Sequence, residues 1–116
     1  MRDIGERLLD FATNCLRLST KLGRTAAGRY IGGQLMRSSA SSGANYFEAC
    51  GAESRADFAH KLQIVLKEVR ETEYWLRLAG RAGLLSAEDA KPSVTEVDEL
   101  ARIIAKSVLT VKSRSK

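Results

Sequence analysis

Few residues in this chain combine a reactive side chain with a usable spacing. Glu68 and Glu71 stand one helical turn apart, the nearest approach to a paired-carboxylate site. A helical bundle can hold two metal ions with Glu-x-x-His ligands, but no such motif occurs. His60 is the only histidine and is followed by Lys61, which suits a solvent-facing or capping role. Cys15 and Cys50 form no Cys-x-x-Cys motif, and nothing in the pattern brings a histidine to Cys50 to activate it. They read as free buried thiols in a reducing cytoplasm. Gly28 to Gly33 is glycine-rich but follows no strand and lacks the Lys-Thr ending of a phosphate loop. These residues predict no catalytic site, metal, cofactor or small-molecule substrate.

Binding chemistry is better represented. Lysine and arginine outnumber acids 19 to 14, a net charge of +5 that suits a polyanionic partner or simply aids solubility. If successive helices alternate in direction, Arg17, Lys21, Arg24, Arg29, Arg77 and Arg81 gather at one end. No acid lies between Asp10 and Glu48, so only Glu88 and Asp89 temper that end. The opposite end carries the basic tail with Lys112, Arg114 and Lys116. Such cations can contact phosphates with salt-dependent affinity, and they equally suit helix C-termini by opposing the helix dipole.

A polar stripe is formed by Gln34, Arg37, Ser38, Ser41, Asn45 and Glu48, and a second by Glu68, Glu71 and Trp75. In a hairpin turning near Ser54, Arg37 is level with Glu71, and Glu48 with His60 and Lys61. The expected result is an Arg37–Glu68/Glu71 network at a partly buried seam, within one chain or between chains, with a structural or interface role. Tyr30, Tyr46, Phe47, Tyr74 and Trp75 suit core or subunit contacts, or base stacking.

The elements that must position these groups are helices. Ile4, Leu8, Phe11, Cys15, Leu18 and Leu22 alternate steps of four and three. So do Phe58, Leu62, Val65, Val69, Thr72, Leu76 and Ala79, and again Val97, Ala101, Ile104, Val108 and Val111. Each set makes one apolar seam of the kind that packs near-antiparallel helices. The second segment is rich in Gly and Ser, poor helix formers, yet Ile31, Leu35, Ser38, Ser42 and Ala49 keep helical spacing. It reads as a closely packed helix. Gly23 and Gly83 suit helix stops, and Ser54 with Asp57 suits a capped start. Ser86 with Asp89 and Ser93 with Glu96 are rival starts for the last helix, and Pro92 favours the later one after a turn or kink.

The expected architecture is all-α, an antiparallel up-down-up-down four-helix bundle in a single domain. Its helices are placed at about 3–22, 26–53, 55–82 and 93–112, with a frayed basic tail. No signal peptide or membrane span is read from the residues, and a cytoplasmic location is expected.

Four runs carry a family resemblance: Ile4 to Phe11, Gln34 to Ala49, Asp57 to Leu62, and Lys67 to Leu76. The Gln-Leu-x-Arg-Ser…Asn-x-x-Glu run joined to Lys-Glu-x-x-Glu-Thr-x-Tyr-Trp-Leu resembles the bacterial 23S rRNA intervening-sequence proteins, also labelled S23 ribosomal proteins. More distantly the chain is similar to the accessory proteins of diversity-generating retroelements. The resemblance implies a short-looped bundle that assembles as a homopentamer, and for the more distant group nucleic-acid binding through a basic surface. The leading expectation is a non-enzymatic homo-oligomer that binds RNA or DNA. The alternative is a protein-interaction scaffold or adaptor without nucleic-acid contact.

Overall fold

Hydroxyl side chains start three of the helices by accepting a hydrogen bond from an otherwise unpaired first-turn amide. The computed structural model describes residues 3–114. They form α1 (Ile4–Leu22), α2 (Ala26–Cys50), α3 (Arg55–Arg81) and α4 (Ala87–Arg114), and no strand occurs among the described residues. Thr25 accepts from the Gly28 amide at 2.9 Å, Ser54 from Asp57 at 3.1 Å and Ser86 from Asp89 at 3.0 Å. Gly83 ends α3 with φ of 72°, the left-handed region in which glycine is favoured. Its amide donates to the Gly80 carbonyl at 3.1 Å and that of Leu84 to Ala79 at 3.0 Å, which closes the helix end.

Short links between long helices leave successive helices antiparallel. The result is an up-down-up-down four-helix bundle of 49 × 21 × 20 Å. α2 packs against α1 and α3, α3 also packs on α4, and α1 touches α4 more lightly. The seams meet at the centre, where Leu8, Phe11, Leu35, Leu62, Val65, Val69, Leu76, Val97, Leu100 and Ile104 are almost wholly buried. Phe58 and Val111 lie at the ends of their seams and are only partly covered. No helix is long and apolar enough to cross a membrane.

The Gly/Ser-rich α2 is helical because its small residues serve close packing. A β-carbon on Gly28 would stand 1.9 Å from the Leu22 carbonyl oxygen, and one on Gly32 3.3 Å from the Ser19 carbonyl. The Ser19 hydroxyl crosses the same seam and donates to the Gly32 carbonyl at 3.0 Å. Buried Ser42 donates to the Ser39 carbonyl at 2.7 Å, so its hydroxyl carries no unmet desolvation cost.

Three boundaries differ from expectation by more than one residue. α2 stops at Cys50 rather than 53, because the Gly51 and Ala52 amides turn back onto Glu48 and Ala49 and free Ser54 to cap α3. α4 starts at Ala87 rather than 93, capped by Ser86, while Ser93 is buried inside the helix. Pro92 is accommodated in the second turn, where its missing N–H forfeits one bond, that to the Glu88 carbonyl. Nor does the tail fray at Lys112: α4 continues through Arg114, whose carbonyl accepts from Arg55 at 2.9 Å.

Candidate nucleic-acid interface

Because α1 and α3 both end where α2 and α4 begin, one end of the bundle collects the α1–α2 and α3–α4 loops. Lys21, Arg24 and Thr25 from the first line a groove of about 470 Å³ with Gly83, Leu84 and Asp89 from around the second. A neighbouring groove between α3 and α4, about 400 Å³, is lined by Arg77, Arg81 and Lys91 above an apolar floor of Leu76, Ala90 and Val94.

The six cations assigned to this end are not equivalent. Lys21 is paired with Asp89 at 3.2 Å. Arg17 donates to the Asn14 side chain at 3.3 Å, and Arg29 donates to the Gly23 carbonyl at 3.4 Å, where a cation meets the C-terminal dipole of α1. Among the described residues, no carboxylate lies within ion-pair distance of Arg24, Arg77 or Arg81. All three are exposed. At the other end Lys112 and Arg114 are exposed in the last turn of α4, and Lys116 lies outside the described residues.

The polar stripes of α2 and α3 meet within one chain. Arg37 pairs with Glu71 through Nη2 and reaches Glu68 with Nη1 at 3.4 Å. Its Nε and Nη2 donate to Gln34 Oε1 at 3.2 and 3.1 Å. Trp75 Nε1 donates to the same Glu71 carboxylate at 3.0 Å. The Trp75 ring meets Tyr30 and Tyr74 edge-on, with centroids 5.9 and 5.1 Å apart. Beneath this, the buried Ser38 and Thr72 hydroxyls hydrogen-bond at 2.8 Å. Lower on α2, Asn45 turns onto Ser41, donating to its carbonyl at 2.8 Å and its hydroxyl at 3.0 Å. Glu48 stays exposed, and Lys61 pairs instead with Asp57 at 3.6 Å.

One ion-pair cluster has no counterpart in the sequence pattern. Arg7 of α1 binds Glu96 in a fork, Nε at 3.1 Å and Nη2 at 2.7 Å, and reaches Glu99 at 3.1 Å. The hydrogen bonds that Arg7 donates to Glu96 raise the guanidinium pKa above the ordinary value, partly opposed by burial. Finding it requires the offset between α1 and α4, which no hairpin count supplies. Lys67 and Arg70 are not among the cations singled out from the sequence; with Tyr74, whose ring suits contacts or stacking, they share the outer face of α3 with Arg77 and Arg81. Their three-and-four spacing is visible, but a search for charge by bundle end passes over a row along a helix.

Little here resembles a reaction centre. Among the described residues no three His, Cys, Asp or Glu side chains cluster closely enough to hold a metal ion. Burial pushes the Cys15 thiol up to about 12, against a weaker opposing hydrogen bond with Ser39, so it carries no thiolate near neutral pH, whereas Cys50, expected to be buried, is exposed at the end of α2. The grooves are lined by arginine, lysine and aliphatic side chains, with Asp89 in the first.

Comparison with known proteins places these observations in a family. The model of the 23S rRNA-intervening sequence protein family matches residues 3–106. A solved structure, that of a protein of unknown function from the S23 ribosomal protein family of Bacteroides thetaiotaomicron, is 34% identical. It superposes with a TM-score of 0.85 over 91% of this chain and 98% of its own. No curated protein matches the chain.

Proposed function

The chain belongs to the 23S rRNA-intervening sequence protein family, and from that premise we propose a non-enzymatic, homo-oligomeric bundle that binds RNA or DNA through its basic surface. The observation that carries this reading is the trio Arg24, Arg77 and Arg81, exposed around one end with no carboxylate within ion-pair distance among the described residues. Cations left unpaired on a surface are available to phosphates, and each contact releases condensed counterions from the nucleic acid. The binding is therefore electrostatic and steeply salt-dependent. In this reading the protein acts in the cytoplasm, without catalysis.

Assembly is supported by a different face. Tyr30, Met36 and Phe47 on α2, with Leu9 and Leu16 on α1, are large apolar side chains between 40% and 63% exposed. A β-carbon placed on Gly33, which lies among them, would meet nothing within 4 Å, so the backbone there is open to a neighbouring molecule. Aromatic and methionine side chains of this kind suit the core of a protein interface. The state proposed is a homopentamer. The same face also favours the second reading, in which the bundle is a scaffold for a different protein.

Anisotropy titrations with structured RNA and duplex DNA at several salt concentrations test the first reading. Binding at low salt that falls linearly on a log–log plot is expected. No binding at low salt, or binding indifferent to salt, overturns it. Light scattering coupled to size exclusion tests assembly: a pentamer mass is expected, and a monomer at micromolar concentration contradicts it. A stoichiometric protein recovered after nuclease treatment, with no nucleic-acid binding by the purified chain, selects the scaffold.

A further inference from the structure

We propose that the outer face of α3 is a track for single-stranded nucleic acid, in which arginine and lysine grip successive phosphates and Tyr74 stacks on an unpaired base. This rests on the nucleic-acid reading above and names the ligand's form and the residues that take it.

His60, Gln63, Lys67, Arg70, Tyr74, Arg77 and Arg81 recur at steps of three and four, so they share one stripe, and all are exposed. The stripe contains no carboxylate. Its closest acid is Glu73 on the flank, 3.9 Å from Arg70, a long contact that leaves 58% of the Arg70 side chain exposed. On the other flank Glu68 and Glu71 both turn to Arg37, which offsets one of their two charges. Across the groove, α4 contributes Lys91 beside Arg77 and Arg81. An ordinary solvated helix face mixes signs so that neighbours one turn apart attract; here Arg77 and Arg81 are like charges at that spacing.

At 1.5 Å per residue, Lys67 to Arg81 covers about 21 Å, the span of about six phosphates in a stacked strand. Tyr74 lies in the middle of the run and is 58% exposed. Its ring is held edge-on by Trp75, which is itself fixed by the hydrogen bond to Glu71. The network between α2 and α3 thus presents a pre-oriented aromatic surface among cations. Bases inside a duplex are covered on both faces by their neighbours, so such a ring rewards only an unpaired base.

Anisotropy titration of the full chain with labelled oligouridylate and with an RNA duplex of equal length tests the track. Tighter binding of the single strand is expected. Tyr74→Ala should weaken it by about 5- to 150-fold, while Tyr74→Phe, which keeps the ring, should retain affinity. The double variant Arg77→Ala/Arg81→Ala should make the log–log salt slope shallower by about 1.4, at 0.7 per lost phosphate contact. Circular dichroism checks that these exposed substitutions leave the bundle folded. Equal affinity for duplex, or Tyr74→Ala binding like the parent, overturns the track and leaves the broader reading intact. So does loss of binding in Arg24→Ala with none in the α3 variants. Failure of the parent chain to bind any nucleic acid at low salt overturns both.

Discussion

α2 and α3 are packed against each other and are nearly equal in length, 25 and 27 residues, yet their outer faces have opposite chemistry. The outer face of α2 runs through Tyr30, Gly33, Met36, Ala40, Ala44 and Phe47, with charge confined to its edges at Arg29, Arg37 and Glu48. That of α3 is the row of cations around Tyr74. The inner faces differ as well: α2 turns glycine and serine toward α1, while α3 buries Leu62, Val65, Val69 and Leu76. A bundle fold constrains only the buried stripe of each helix, so the exposed stripes are free to differ, one apolar and one cationic.

The largest test of this contrast is Gly33→Arg. The position is open within the monomer, so helicity and melting should be retained, while a charge placed in an apolar interface should cost about 3–5 kcal/mol of association and yield monomers in light scattering. Unchanged mass would remove α2 as the assembly face. On the inner side, Gly28→Ala drives a methyl into the Leu22 carbonyl and should destabilise the fold by about 2–3 kcal/mol in chemical denaturation. A pH series probes the same α1–α2 seam. Cys15 stays protonated in the folded chain up to about 12, against an ordinary value of 9.0. Stability is therefore fully present below pH 9 and falls between pH 9 and 12, as the unfolded chain loses a proton that the folded one keeps. Replacing Cys15 with alanine should remove that decline. Gly33→Ala, by contrast with its Gly28 counterpart, should stabilise the monomer by about 0.5–1 kcal/mol through helix propensity alone. Smallest is Arg37→Ala, about 0.5 kcal/mol because its side chain is 48% exposed, with a shift in Trp75 emission as Glu71 is freed.

Much of this was legible from residue spacing. The alternation of three and four in α1, α3 and α4 names the buried seam, and counting outward from Ser54 puts Arg37 level with Glu71. α2 was harder, since the glycines and serines that weaken an isolated helix gain their value only from the carbonyls of α1 beside them. Pro92 misled for a related reason: its cost depends on where the helix begins, and the Ser86 cap puts it early enough to lose a single bond. The Arg7–Glu96/Glu99 cluster depends on what a neighbouring helix brings alongside, which a one-dimensional pattern does not contain, whereas the spacing of the α3 row is visible and only Lys91 is added by a neighbour.

Pro92 has a further consequence, in time rather than in space. It leaves the opening residues of α4 joined to the rest by one fewer ladder bond, with the Ser86 cap and the Ala90 amide on the Ser86 carbonyl holding the first turn. The segment from Ala87 to Lys91 should therefore open more often than the helix body beyond Val94, and its amides should exchange with deuterium first. Since Lys91 sits on that turn opposite Arg77 and Arg81, exchange at the rim of the basic groove should be faster on its α4 side, and bound polyanion should slow it.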